Sequence, residues 1–284
     1  MTAFRVATWN LWWRFGDPEG RRPAIAAALR ALDADVVGLQ EVWSRGDEHL
    51  AAGLADELDR HVAFAGVPDA SPWTGCLGAD SWGIGNAVLS RRPLREVHTE
   101  TLPSGDGPTA QVLLSAVVDT PAGSLRVVVT HLASALTASA LRVQQVRAIA
   151  RHVATAGETD LPPVVVGDLN AEPASDEVRL LEGHLTAPAE PGLLLVDAWR
   201  WATGPDRRDG ATWRRENPYV AARGEPPSRV DYVLIGSGRG TVPVAVERVW
   251  LFADRAPAAG AWPSDPRRCR RRPAGGDVRS ATLT

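Results

Sequence analysis

Short apolar runs alternate with amphipathic stretches along most of the chain. The runs at 4–11, 35–42 and 85–90 are rich in aliphatic residues over a few positions, which is typical of buried strands. The segment 110–132 predicts two further strands joined by the turn "TPAG", because Pro and Gly mark tight turns. Another strand begins at Val164, where "VVVGDLN" passes from three β-branched residues to an Asp and an Asn.

Helical spacing of apolar residues predicts helices between these strands, and the last third of the chain is irregular. The predicted helices cover 21–34, 47–61, 139–156 and a short stretch near 174–183, and two late strands cover 229–235 and 244–252. In the second of these helices the first turn is acidic, as the helix dipole favours. No repeat or low-complexity linker divides the chain, so one mixed α/β domain is predicted.

The composition is that of an ordinary globular protein. Of 284 residues, 44% are hydrophobic and 23% charged, and the net charge of −3 argues against a generally basic nucleic-acid binder without excluding a local basic patch. Cys76 and Cys269 are too few and too distant for a disulfide framework or a zinc site. We find no signal-like N-terminal run and no apolar stretch of about 20 residues, so we expect a cytoplasmic protein without a membrane span. We take it to be a monomer, although the sequence does not determine the oligomeric state.

Polar residues stand where five of the apparent strands end. They are Asn10, Glu41, His131, Asp168 with Asn170, and Asp231. Taken alone, the "VVVGDLN" stretch is compatible with an ordinary Asp/Asn turn as well as with a site at the rim of a sheet. Five such strand ends would converge on one pocket if the strands share a sheet or two stacked sheets.

The residue types in this set indicate a chemistry. Carboxylate and amide oxygens without cysteine suit Mg²⁺ or Mn²⁺ better than zinc. A hard cation together with acids and a histidine suggests hydrolysis of a phosphate ester, in which the cation neutralises phosphate charge and a carboxylate positions or deprotonates water.

The motifs "WN", "LQEV", "GNAVLSRRPL", "THL", "GDLNAEP" and "SRVDYVL" follow one another between residues 9 and 235. In this order they resemble the endonuclease/exonuclease/phosphatase superfamily. The resemblance implies a four-layer α/β/β/α sandwich of two packed mixed β-sheets flanked by helices, and a Mg²⁺-dependent phosphoesterase. The "THL" motif favours the branch that contains deoxyribonucleases, sphingomyelinases and inositol-phosphate phosphatases.

The resemblance also implies a role for each matching residue. Glu41 would be the principal metal ligand, with Asn10 supporting metal or phosphate and Asp265 as a further metal residue. Asp168 would orient or activate the attacking water. The remaining assignments are His131 and Asn170 on the phosphate, Asp231 orienting a catalytic histidine, Asn86 supporting the site and binding substrate, and Arg229 binding substrate.

The C-terminal segment departs from the family pattern. Ser264 and Asp265 are present, but Pro266 stands where the family has a histidine, and no histidine follows His184. The segment 266–284 contains "RRCRRR", which cannot form a core strand, so we place the domain at 1–265 and an aberrant tail after it. A polyanion-binding tail, a naturally inactive relative and an out-of-frame reading remain three explanations.

The out-of-frame reading is the one we favour. Codons for Pro266–Ala274 can be chosen so that removing one base yields His-Ala-Ala-Val-Val-Ala-Asp-Leu, which supplies both the histidine and an apolar strand. Proline can neither accept nor donate a proton through its side chain, and losing a general acid/base costs about 10²–10⁴ in rate. We therefore expect this polypeptide to be weakly active or inactive and less stable than an intact relative, with an unpaired sheet edge or an unfilled core face.

The substrate class stays open between a nucleic acid or nucleotide, a lipid headgroup and an inositol phosphate. A nuclease would need Arg facing phosphates, but we expect each candidate to be a solvated surface charge; they are Arg14, Arg91, Arg92, Arg142, Arg207, Arg208 and Arg229. Trp12, Trp13, Trp73 and Trp82 are candidates for stacking on bases or for capping the core. The rival interpretation is a non-catalytic binding module on the same fold.

Overall fold

The computed structural model describes residues 3–75, 82–105, 110–202, 210–214, 225–253 and 279–283. The strands are β1 (Phe4–Asn10), β2 (Val36–Arg45), β3 (Glu48–His49), β4 (His61–Gly66), β5 (Gly83–Ser90), β6 (Leu94–Thr101), β7 (Val112–Thr120), β8 (Gly123–His131), β9 (Val164–Asp168), β10 (Leu194–Asp197), β11 (Asp231–Ser237), β12 (Arg248–Trp250) and β13 (Arg279–Leu283). The helices are α1 (Pro18–Leu32), α2 (Leu50–Leu58), α3 (Ser71–Thr74), α4 (Ser139–Thr155), α5 (Asp176–Glu182) and α6 (Ala198–Trp201).

The strands form two mixed sheets packed face to face. The first has the order β12-β13-β1-β2-β5-β4, with β3 paired to β2, and the second has the order β10-β11-β9-β8-β7-β6. Parallel pairs, β1 with β2 and β8 with β9, lie at the centre of each sheet. The predicted fold class, two packed mixed sheets flanked by helices, is confirmed.

Three apolar clusters separate the four layers. The central cluster fills the space between the sheets with β-branched and other aliphatic residues such as Val6, Val129 and Val166. A second cluster packs α1 and α2 on the outer face of the first sheet, and a third packs α4 and α5 on the outer face of the second. Each strand of the central pairs is buried on both faces, which explains the continuous apolar runs in their sequences.

The sheets approach closely beside the centre of β2. A Cβ added at Gly38 would collide with Val166 Cγ2 and lie 3.0 Å from Val129 Cγ2, both in the second sheet. Glycine is therefore required here by space rather than by backbone conformation. This close approach brings the ends of strands from both sheets within side-chain reach of each other.

The helix predicted over 47–61 is shorter than its sequence pattern indicates. Glu48 and His49 pair with β2 as β3, and α2 begins only at Leu50, where the His49 ring accepts a hydrogen bond from the Ala52 amide at 3.0 Å. The helix ends at Leu58 and is capped by Asp59, whose φ of 52° is left-handed, and β4 starts two residues after this cap. The acidic residue Glu48 is consequently not in a helical first turn.

The late strands also differ from their predicted bounds. The strand predicted over 229–235 is β11 over Asp231–Ser237, and the one over 244–252 shortens to β12 over Arg248–Trp250. The expectation of an unpaired sheet edge is wrong, because Arg279–Leu283, within the segment taken as a tail, forms β13 between β12 and β1. Within the described residues, no helix has the length and apolar character needed to cross a membrane.

Candidate active site

The polar residues at the strand ends continue rows of side chains that face the space between the sheets. In β8 and β9, Val129 and Val166 belong to the central apolar cluster, and His131 and Asp168 follow them two positions later. Because side chains alternate along a strand, residues two apart share a face. The same alternation places three more polar side chains on this inner face, each in line with a valine of the central cluster. The pairs are Asn10 with Val6, Asn86 with Val88, and Asp231 with Val233. The apolar core therefore ends in a polar pocket.

Glu41 reaches this pocket because β2 is irregular. Val37, Leu39 and Val42 all pack on the outer face of the first sheet, so the regular alternation is broken between Leu39 and Val42. The pairing of β2 with β5 shifts register at that point, and Glu41 has a left-handed φ of 52°. Such a bulge turns a side chain to the other face. Glu41 is thereby directed inward, where it is 1% exposed.

The side-chain amide of Asn10 connects the two sheets. Its Nδ2 donates to Glu41 Oε1 at 3.1 Å and to Asp168 Oδ2 at 3.1 Å, so carboxylates from the two sheets share one donor. Its Oδ1 accepts from the Trp12 amide at 2.8 Å, which fixes the orientation of the amide group. Asn10 thus positions both carboxylates in this structure.

His131 lies beside the same two carboxylates. Its Nε2 is 3.9 Å from Glu41 Oε1 and 3.8 Å from Asp168 Oδ2, and the side chain is 5% exposed. Burial lowers the pKa of His131 below its ordinary value, and the Asp168 carboxylate only partly opposes this. The imidazole is therefore neutral near pH 7, with an Nε2 that makes no hydrogen bond within the described part of the chain.

The turn after β9 is built around Asp168. The Asn170 amide donates to Asp168 Oδ1 at 2.8 Å, and Asn170 Nδ2 donates to the Leu132 carbonyl at 3.0 Å. Asn170 has a left-handed φ of 47°, a conformation that asparagine tolerates better than most residues. The Asp/Asn turn is therefore present, and it lies within the group of polar side chains at the strand ends; that this group is a functional site stays a prediction.

Asp231 lies directly across the sheet from Asp168, as its partner in the β11–β9 register. Asp231 is 5% exposed, and its backbone amide donates to the Thr212 hydroxyl at 3.3 Å. On its other side Asp168 pairs with His131 of β8, so Asp231, Asp168 and His131 form a row across three neighbouring strands. Sequence reasoning missed Thr212, which has no motif of its own.

Two predicted substrate residues are held by protein partners. Asn86 is buried, and its Nδ2 donates to the Val112 carbonyl of the opposite sheet at 2.8 Å. Arg229 is 6% exposed and forms a 2.5 Å ion pair with Asp197. Both are fixed by these partners, and their contact with substrate stays a prediction. Asp265 and Pro266 lie outside the described residues.

Burial separates the remaining candidates. Trp12 and Trp13 are 4% and 0% exposed, and Trp13 Nε1 donates to the Gly83 carbonyl, so these two cap the core rather than stack on ligands. Arg142 is buried and forms an ion pair with Glu177 at 2.8 Å. Arg142 and Arg229 are both buried, so the expectation that they are solvated surface charges is wrong. Arg207 and Arg208 lie outside the described residues.

A group of cationic and aromatic side chains lies near the ends of β1 and β2, the strands that carry Asn10 and Glu41. The Arg14 guanidinium lies 3.8 Å from the Trp82 ring centroid, and Trp43 packs edge-on against Trp82 at 5.3 Å. The Arg45 guanidinium lies 5.2 Å from the centroid of the same ring. Arg14 and Trp82 were candidates from the sequence. Trp43 and Arg45 were missed, although their position just after "LQEV" was a usable signal.

The donor set of the pocket fits a divalent metal ion. Two buried carboxylates lie within hydrogen-bond reach of one nitrogen, and within the described residues the ion-pair partner of Asp168 is His131, which is neutral. Buried carboxylates are costly unless paired or metal-bound. Oxygen donors of this kind are the ligands that Mg²⁺ and Mn²⁺ prefer.

These features agree with comparison to known proteins. A family model described as Endonuclease/Exonuclease/phosphatase family matches residues 7–265. The chain belongs to this family, whose members are generally hydrolases of phosphate esters. No curated protein matches the chain.

Several solved structures share the fold. Humanized D. rerio TDP2 with 14 mutations is 18% identical with a TM-score of 0.71, and 99% of each chain is covered. The human Nocturnin catalytic domain, solved with a bound sulfate anion, is 18% identical with a TM-score of 0.70, covering 99% of this chain and 94% of that one. A family protein from Beutenbergia cavernae DSM 12333 is 24% identical with a TM-score of 0.66, covering 100% and 72%.

Proposed function

We propose that this chain is a Mg²⁺- or Mn²⁺-dependent phosphoesterase that hydrolyses a phosphodiester or phosphomonoester. The observation that carries the proposal is the Asn10 amide, which lies 3.1 Å from a carboxylate oxygen of both Glu41 and Asp168. Family membership supports the reaction class. As expected from the sequence, we take the enzyme to be a cytoplasmic monomer.

DNA or a nucleotide is the substrate class that the surroundings of the pocket favour. Arg14, Trp43, Trp82 and Arg45 combine guanidinium groups with aromatic rings near the end of the strand that carries Glu41, and such combinations bind phosphates and stack on bases. A structure of D. rerio TDP2, which shares the fold with a TM-score of 0.72, was determined with a single-strand DNA product.

The residues of the pocket have distinct roles in this proposal. Glu41 and Asp265 would hold the metal ion. The Asn10 amide orients the Glu41 carboxylate for this role. Bound there, the metal would neutralise phosphate charge and stabilise the leaving oxygen. Asp168 holds the attacking water and accepts its proton, while Asn170 and the neutral His131 donate hydrogen bonds to phosphate oxygens. Asp231 is the orienting partner for a histidine at position 266.

Pro266 removes that histidine, so we propose that the activity of this polypeptide is impaired. A general acid/base contributes about 10²–10⁴ in rate, and a proline side chain cannot replace it. The frameshift interpretation of 266–284 belongs to the same proposal, because it accounts for both the missing histidine and the Arg-rich sequence.

A substrate panel tests both parts of the proposal. Nicked and linear DNA, a nucleotide diester, sphingomyelin and inositol phosphates are offered with Mg²⁺ to three proteins: the chain as given, Pro266→His, and a chain whose tail begins His-Ala-Ala-Val-Val-Ala-Asp-Leu. We expect the DNA or nucleotide substrates to be cleaved about 10²–10⁴-fold faster by the histidine-containing proteins. Normal enzymatic rates from the chain as given would contradict the impairment, and no turnover by any of the three would contradict the function.

The alternative function is a binding module that keeps the fold without the chemistry, and Pro266 is the observation that favours it. Calorimetric titration of Mg²⁺ into the chain and into Glu41→Ala distinguishes the two. The phosphoesterase requires Mg²⁺ binding that Glu41→Ala removes, whereas the absence of binding to either protein favours the module.

A further inference from the structure

A second group of metal-ligating side chains lies on the outer face of the second sheet, away from the pocket. His98 and Glu100 are two residues apart on the edge strand β6, so both side chains point to the same face. Their partners on β7 are Ser115 and Leu113, and Leu113 packs in the outer cluster beneath α4. His152, near the end of α4, completes the group from above this face.

The three side chains are close enough to share one ion. Each offers a ligand atom, and these atoms all lie within 4.8 Å of one another. His152 Nδ1 is 3.6 Å from Glu100 Oε2, and the rings of His98 and His152 are stacked with centroids 5.0 Å apart. Tetrahedral bonds of about 2.0–2.1 Å require donors about 3.3 Å apart. Metal binding would therefore draw the donors together, and His98 and Glu100 are the more exposed side chains that would have to move.

The buried member of the group has an unsatisfied nitrogen. The His152 side chain is 10% exposed, and its Nε2 is buried without a hydrogen bond to any residue that the structure describes. A buried polar atom of this kind costs stability unless a water or an ion satisfies it. His152 is therefore held in place with its Nδ1 beside Glu100 and its Nε2 without a partner among the described residues.

The Arg126 cation, whose charge acts on His152, does not oppose a bound metal strongly. The Arg126 guanidinium donates to Glu96 Oε2 at 2.8 Å and to the Gly157 carbonyl at 3.3 Å, so its charge is already compensated. Glu100 adds one further negative charge, and with neutral imidazoles the group is net negative. This charge suits a divalent cation.

We propose that His98, Glu100 and His152 form a binding site for Zn²⁺ or a similar transition-metal ion, independent of the Mg²⁺ pocket. Two imidazoles and one carboxylate are a donor set that zinc and neighbouring divalent metals take, while Mg²⁺ prefers oxygen alone. Three protein ligands leave a fourth position for water or an external ligand. The ion would fasten the edge strand β6 to α4.

Zn²⁺ titration in the presence of excess Mg²⁺ tests the site, with calorimetry for stoichiometry and the visible spectrum of substituted Co²⁺ for geometry. We expect one tight Zn²⁺ per chain, and at least about 100-fold weaker binding in His98→Ala and His152→Ala. Zn²⁺ at 100 times its Kd should also raise the Tm by several degrees, because an ion that binds only the folded chain stabilises it.

Two variants serve as controls. His61→Ala removes an exposed histidine from the first sheet, and Glu41→Gln alters the Mg²⁺ pocket; both should keep Zn²⁺ binding. Since His98 is exposed, His98→Ala should fold normally even if the buried His152→Ala does not. Absence of Zn²⁺ binding, binding retained in His98→Ala, or binding lost in Glu41→Gln would each overturn the proposal.

Discussion

The two faces of the second sheet carry polar groups of opposite character. On the inner face, His131 and Asp168 meet Asn10 and Glu41 from the other sheet, and the group is rich in oxygen and almost wholly buried. On the outer face, two histidines and Glu100 form a partly exposed group between one strand and α4. The first group suits a hard cation and the second a softer one.

The groups also differ in what holds them together. The inner group exists only while the two sheets stay in close contact, because its carboxylates come from different sheets. The outer group needs one edge strand and one helix. A perturbation of the sheet-to-sheet contact should therefore affect the first group and spare the second.

Glu41→Gln should have the largest effect of the substitutions that distinguish the two groups, because it changes a proposed metal ligand of the inner group. Measured in the Pro266→His background, we expect kcat/KM to fall about 10³-fold, or about 4 kcal/mol, because a neutral amide binds Mg²⁺ poorly. The Mg²⁺-induced rise in Tm should disappear as well. In EDTA the variant should be as stable as its parent or more stable, since one of two neighbouring buried carboxylates has lost its charge.

Glu177→Gln is the matched control for this change. Glu177 is another buried carboxylate, and it forms an ion pair with Arg142 at 2.8 Å. Breaking a buried pair from one side costs about 3 kcal/mol, so this variant should lose stability while keeping the Mg²⁺ response. If Glu41→Gln instead lost stability in EDTA and kept its Mg²⁺ response, Glu41 would be structural.

Gly38→Ala tests whether the inner group depends on the sheet contact. The added methyl collides with Val166 and crowds Val129, so we expect a loss of about 1–3 kcal/mol in the free energy of unfolding. The Mg²⁺-induced rise in Tm should weaken, and Zn²⁺ binding at the outer group should not change. Denaturant unfolding and the two metal titrations measure these effects.

Gly53→Ala provides the comparison for that substitution. Gly53 lies in α2, where the nearest obstacle to a methyl is the flexible end of Arg22 at 3.3 Å. Replacing a helical glycine by alanine stabilises by about 0.5–1 kcal/mol. A similar gain in Gly38→Ala would show that the sheets can separate without cost.

Much of the inner group could be predicted because strand patterns are local. Asn10, His131 and Asp168 each end an apolar run in a recognisable motif, and alternation alone gives the face on which they lie. Glu41 carries the motif signal, but its inward direction depends on a register shift against β5, which the sequence of β2 does not reveal. Similarly, the burial of Arg142 and Arg229 depends on partners 35 and 32 residues away.

The outer group could not be predicted for a related reason. Strand β6 is exposed at most positions and lacks the alternation of a half-buried strand, so it escaped detection, and with it the shared face of His98 and Glu100. His152 lies 52 residues after Glu100 and meets it only because α4 packs over this sheet. Helix docking is set by tertiary packing rather than by local sequence.

The smallest expected effect is that of His98→Ala on the pKa of His152, measured in the metal-free protein. Burial, followed by repulsion from His98 and Arg126, lowers the pKa of His152 to about 4. Removing His98 should raise this pKa, although burial keeps it below the ordinary 6.5, and NMR titration of the His152 ring in EDTA measures the change. Between pH 6.5 and about 4 the unfolded chain takes up a proton that the folded chain resists, so stability falls as the pH is lowered through this range. His98→Ala should make that fall shallower and His61→Ala should not, whereas a pKa of His152 near 6.5 in the unaltered protein would mean that the ring is not enclosed by β6 and α4.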